Sequence, residues 1–84
     1  MKLIIVWKNQ KPFQIEIDPS KTILELKKKI AEHYTETYTG FNILNGTDLI
    51  GSDKENSSIS SCGIARVIRL PDDYNPGLKQ KLNI

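Results

Sequence analysis

With 84 residues, 38% of them hydrophobic and 26% charged, the chain has material for one small domain with a thin core. A net charge of +2 is too small to argue for nucleic acid or an anionic membrane as partner, and acidic residues alternate with the basic ones along most of the sequence. Cys62 is the single cysteine, which excludes an internal disulfide and favours a reducing setting, cytoplasmic or nuclear.

The first element in chain order is a strand. Residues 1–7, Met-Lys-Leu-Ile-Ile-Val-Trp, are rich in β-branched and large apolar side chains. The apolar run from Leu3 to Trp7 is too short for a signal-peptide core or a membrane span. Lys8-Asn9-Gln10-Lys11 reads as a polar turn, after which Phe13, Ile15 and Ile17 alternate with Gln14 and Glu16. Two strands joined by a short turn predict a hairpin. Its buried face is expected to hold Met1, Leu3, Ile5, Phe13, Ile15 and Ile17.

The helix signal lies between Asp18 and Ile30. Pro19 cannot donate to a ladder, so the second strand should stop there. Thr22 and Glu25 have capping-box spacing. Ile23, Leu26 and Ile30 fall at i, i+3 and i+7, one stripe of an amphipathic helix. Lys27, Lys28 and Lys29 read as its solvated flank, near the end where positive charge suits the dipole.

Residues 31–39 show no periodicity. Gly40 to Leu44 predicts a third strand, closed by the turn dipeptide Asn45-Gly46, and Leu49-Ile50 a short further strand or an anchor. Gly51 to Ser58 is polar and reads as a flexible loop. Ile59, Cys62 and Ile64 suggest a single helical turn, and Ala65 to Leu70 a last strand ended by Pro71. From Tyr74 to Ile84 the composition is that of a tail or linker. The order is the outline of an α+β, β-grasp domain: a mixed four- to five-stranded sheet with one helix across one face. A right-handed crossover would set the last strand parallel to the first.

No catalytic constellation is visible. His33 has no Cys, Ser or metal-ligand partner at useful spacing, Cys62 reads as a small core residue, and no glycine loop could cradle a phosphate. The expectation is no enzyme, no cofactor and no metal. If Leu3 and Ile5 point under the helix, Ile4 and Val6 must point to the opposite face, where a one-sided sheet prefers polar residues. Either those residues form a partner-binding patch, or they serve β-propensity alone, or the tail folds over them.

The first half of the chain resembles ubiquitin. The likeness runs without gaps from Met1 to Ile30 and is strongest in Ile15-Glu16-Ile17-Asp18-Pro19-Ser20-Lys21-Thr22-Ile23. Asn45-Gly46 with Leu49 fits the third strand and its turn, and Val67-Ile68-Arg69-Leu70 resembles the last strand. The resemblance covers residues 1–73, a ubiquitin-like domain, and leaves 74–84 as the tail. It implies a recognition surface on the outer sheet face, with Ile43 and Val67 at the matching positions, joined by Ile4 and Val6 and ringed by Lys2, Lys8 and Arg69. Pro71-Asp72-Asp73 stands where the family has Arg-Gly-Gly, so the resemblance implies a domain that is not conjugated.

On this reading the chain is a monomeric adaptor, the N-terminal ubiquitin-like domain of a larger protein. It would bind ubiquitin receptors, the proteasome or its own parent chain, and neither nucleic acid nor membrane. The alternative is a modifier precursor processed after Gly77.

Overall fold

A computed structural model describes residues 1–8, 10–34, 40–64 and 66–71. The hairpin forms as the alternation dictates: β1 (Lys2–Val6) lies antiparallel to β2 (Phe13–Glu16), with Leu3 opposite Ile15 and Ile5 opposite Phe13. Leu3, Ile5, Ile15 and Ile17 enter the core and Phe13 is half-buried against it. Met1 departs from the expected inner set. It is 40% exposed, because β1 begins only at Lys2 and the terminal amine turns toward the Glu16 carboxylate, 3.7 Å away.

Between hairpin and helix, the Asp18 carboxylate accepts hydrogen bonds from the Ser20 N–H at 2.9 Å and the Ser20 hydroxyl at 2.8 Å. Those bonds, the backbone one first, hold its pKa below the ordinary 3.8. A depressed carboxyl pKa means stability present above the unfolded value and lost as pH falls through the folded one. Carbon-detected titration should therefore place Asp18 below an unstructured aspartate, and Ser20→Ala should return it upward. Equal titration in both proteins would show that these bonds do not form in solution.

Helix α1 (Ile23–His33) starts where its cap requires: the Thr22 hydroxyl accepts from the Glu25 N–H at 3.3 Å. The Glu25 carboxylate does not complete the box. It turns toward the Lys28 ammonium at 3.7 Å. The stripe of Ile23, Leu26 and Ile30 is fully buried over the hairpin, joined by Ala31.

Lys27 overturns the expectation of a solvated flank. Lys28 and Lys29 are exposed, but Lys27 at i+4 from Ile23 lies on the apolar stripe and is 0% exposed. Its ammonium sits 3.5 Å from the Glu55 carboxylate and 5.9 Å from the Phe41 ring centroid. The first distance is an ion pair longer than an ordinary hydrogen bond.

Glu55 belongs to the segment expected to be a flexible loop. Residues 51–58 instead form a 3₁₀ turn, Ser52–Lys54, and are stitched to the start of α1. The Ile23 and Leu24 N–H groups, which no helical carbonyl can satisfy, donate to the Ser57 and Glu55 carbonyls at 2.9 and 3.0 Å. Ile59 N–H returns to the Lys21 carbonyl at 2.8 Å, and the fully buried Ile59 side chain anchors the crossing. A second 3₁₀ turn, Ser60–Cys62, is the helical turn the sequence suggests, and Cys62 is half-buried against the core.

The remaining strands are shorter than expected: β3 (Ile43–Asn45), β4 (Asp48–Ile50) and β5 (Val67–Arg69). The β3–β4 hairpin turns through Gly46-Thr47, one position beyond the Asn45-Gly46 pair, and Gly46 supplies the positive φ of 66° at the first loop position. The sheet order is β2-β1-β5-β3-β4, with β5 parallel to β1 as the crossover predicts. At the end of α1, His33 stacks on Phe13 with centroids 3.6 Å apart, and Tyr34 meets Trp7 edge-on at 5.5 Å. Trp7 thus closes the core edge, and burial pushes the Tyr34 phenol pKa up. Residues 72–84, which include Asp72, Asp73, Gly77 and the expected tail, lie outside the described residues, as do 35–39 of the connection and Ala65.

Candidate interaction surface

The geometry of the outer sheet face follows from strand parity. The helix and the core occupy the side of Leu3, Ile5, Ile43 and Ile68, all essentially unexposed. Side chains one residue away along each strand therefore face outward. Ile4 lies beside Val67 across the parallel β1–β5 pair, and the two are 37% and 44% exposed. In the next row Val6 lies beside Arg69, Arg69 beside Leu44, and Leu44 beside Leu49. Leu49 is the most exposed large apolar residue of the described set, at 61%.

Of the seven residues expected on this surface, Ile4, Val6, Val67 and Arg69 share the outer face. Lys8 lies past the end of β1 in the left-handed region, φ 49°, with its ammonium 5.2 Å from the Trp7 ring centroid. Its charge is thus drawn to the aromatic edge of the core. Lys2 stands opposite Glu16 on the outer face of the hairpin.

Ile43 is a correction. It is 0% exposed and packs in the core, because Phe41 and Ile43 share the inward parity while Asn42 and Leu44 share the outward one. Leu44 takes the place assigned to Ile43, and Leu49 extends the patch across β4. A signal for this was present: the polar Asn42 marks the solvent face, and Leu44 lies two residues on from it.

Apolar groups therefore occupy both rows, and a guanidinium sits in the middle of the second. Among the described residues no cluster of His, Cys, Asp and Glu could hold a metal ion. Nor is any described helix long and apolar enough to cross a membrane.

Comparison with models of protein families finds no match, and comparison with curated proteins finds none either. Solved structures do match. The NMR solution structure of the ubl5 domain from the polyubiquitin locus of T. thermophila is similar with a TM-score of 0.71 and 16% sequence identity, over 89% of this chain and 95% of that one. Together with the mixed five-stranded sheet, the single helix across it and the parallel β1–β5 pair, this likeness shows that the chain has the ubiquitin-like β-grasp fold.

Proposed function

We propose that the chain is a non-catalytic protein-interaction module that docks partner proteins on the outer face of its sheet. The observation that carries this reading is the pairing of exposed Ile4 with exposed Val67, continued by Val6, Leu44 and Leu49 around Arg69. Apolar side chains brought together on a solvent face of a small domain are the usual mark of a partner site. A central guanidinium in such a patch supplies directional contacts that an all-apolar surface lacks. The ubiquitin-like fold favours partners of the ubiquitin-receptor or proteasomal kind, or a site on the chain's own parent protein. An adaptor of that type works in the cytoplasm or nucleus, and Arg69 rather than Lys8 supplies the charge at the centre of its surface.

The experiment is chemical-shift mapping with isolated ubiquitin-receptor domains, using the wild-type chain and an Ile4→Ser/Val67→Ser variant. Both positions are exposed, so the variant should keep its fold and lose little stability. Affinity should fall by about tenfold or more, as expected where apolar anchors at an interface centre are removed. Shifts confined to another surface, or undiminished affinity in the variant, would show that this face is not the docking site.

A further inference from the structure

The Asn45-Gly46 pair, at the end of the sheet away from β2, carries a chemistry that partner docking does not use. Strand β4 is terminal in the sheet, and the β3–β4 ladder closes at Asn45 opposite Asp48. Gly46 lies in the two-residue loop beyond that pair, so its N–H stands outside the ladder. With no side chain of its own, Gly46 leaves its main-chain nitrogen unshielded. The space around it is open as well: a Cβ placed there would meet no atom within 4 Å beyond its chain neighbours.

The Asn45 side chain reaches to another part of the fold. Its Nδ2 donates to the carbonyl of Gly63, the residue that closes the second 3₁₀ turn, at 3.1 Å. That amide therefore ties the hairpin carrying Leu44 and Leu49 to the turn that precedes β5.

We propose that Asn45 is a modification site, converted from an amide to a carboxylate through a cyclic imide closed by its own main chain. The Gly46 nitrogen gives its proton to solvent and forms a bond to the Asn45 Cγ. The Cγ–Nδ2 bond breaks, and Nδ2 takes up a proton and leaves as ammonia. Water then opens the imide. Cleavage on the Cγ side leaves aspartate, and cleavage at the main-chain carbonyl leaves isoaspartate, with a methylene added to the backbone. Extended strand geometry at Asn45 holds its side chain away from the following nitrogen, so ring closure waits for the hairpin to open. Three-residue strands at a sheet edge give that hairpin a low local stability.

The product undoes the tie in two ways. A carboxylate cannot donate to the Gly63 carbonyl, and at position 45 it stands directly opposite Asp48, a like-charge pair across the two strands. Conversion therefore loosens the hairpin that sets Leu44 and Leu49 in place. The conversion itself does not rest on the outer face being a docking surface; its effect on partner binding does.

The test incubates the folded chain at mildly alkaline pH and follows each asparagine by peptide mass mapping. Asn45 should convert ahead of Asn42 and Asn56, which precede Ile43 and Ser57. Asn45→Gln, whose longer side chain closes the ring far more slowly, should give no product at this position. Unfolding the chain in urea should speed conversion at Asn45 by about tenfold or more, because the closed hairpin no longer withholds it. Asn45→Asp presents the product directly and should raise amide exchange across β3 and β4 by about tenfold, with exchange from Leu26 to Ile30 in α1 unchanged. Earlier conversion of Asn42 or Asn56 overturns the proposal, as do equal rates in the folded and urea-unfolded chain, or wild-type protection of β3 and β4 in Asn45→Asp. Should Asn45→Asp fail to fold, the order of conversion and the urea comparison decide, since both are read on the wild-type chain. Undiminished receptor binding by Ile4→Ser/Val67→Ser, which would remove the outer face as a docking site, changes none of these readouts.

Discussion

Truncating Ile43 to alanine should lower the free energy of unfolding by about 2–5 kcal/mol, whereas Leu44→Ala next to it should cost under about 1 kcal/mol. Ile43 is wholly enclosed and belongs to the cluster under α1, so its removal takes away buried methyl groups and leaves a cavity. Leu44 has one side open to solvent between Arg69 and Leu49. A domain of this size has about 4–12 kcal/mol in all, so the first substitution removes a large part of the total. Urea unfolding of the two variants measures the contrast directly. It also guards against a false result in binding experiments: Ile43→Ala would weaken any interaction simply by populating the unfolded chain. Leu44→Ala, with its fold intact, reports on the surface itself. A reversed order of stabilities would mean that β3 is placed one residue out of register, because a one-residue slip exchanges the two faces of a strand.

That one-residue distinction marks how far the sequence could be read. The hairpin, the cap at Thr22 and the stripe Ile23, Leu26 and Ile30 are local patterns, and each stands in the structure where the spacing puts it. The pairing of β5 with β1 is non-local. It followed from the handedness of crossovers and from the likeness to ubiquitin, not from any pattern within Val67 to Leu70. Ile43 departs from the outward place that the likeness to ubiquitin implies, because the parity marked by the polar Asn42 turns Ile43 inward and Leu44 outward. Lys27 departs from its expected place for a different reason. Charge argued for solvent and position argued for the core, and what decides between them is Glu55, distant in sequence and brought close only by the docking of residues 51–58 on the helix. Leu49 shows the limit from the other direction, since nothing around it in sequence marks it as the most exposed large apolar residue of the described set.

The Lys27–Glu55 pair supports the second large prediction. Glu55→Ala should destabilise the domain by up to about 3 kcal/mol, while Lys27→Met should be neutral or stabilising. The asymmetry comes from desolvation. The Lys27 side chain is completely enclosed, so its charge has surrendered its water, whereas the Glu55 side chain keeps 27% of its surface in solvent. Among the described residues, deleting the carboxylate leaves a buried cation with only the Phe41 ring, 5.9 Å away, to offset it. Replacing the lysine with methionine removes the desolvation penalty, keeps the length of the side chain and sets a thioether near the same ring. Glu55 then loses its partner but can be rehydrated. Thermal and urea unfolding of the two single variants and of the double variant close a thermodynamic cycle. The double variant should sit near Lys27→Met, because once the buried charge is gone the carboxylate has little left to balance. If Lys27→Met costs as much as Glu55→Ala, the pair itself contributes net stability and fixes the 51–58 segment against α1 by attraction. In that case the backbone bonds from Ile23 and Leu24 to the Ser57 and Glu55 carbonyls are too weak to hold the segment alone, and amide exchange at those two N–H groups should accelerate in both single variants.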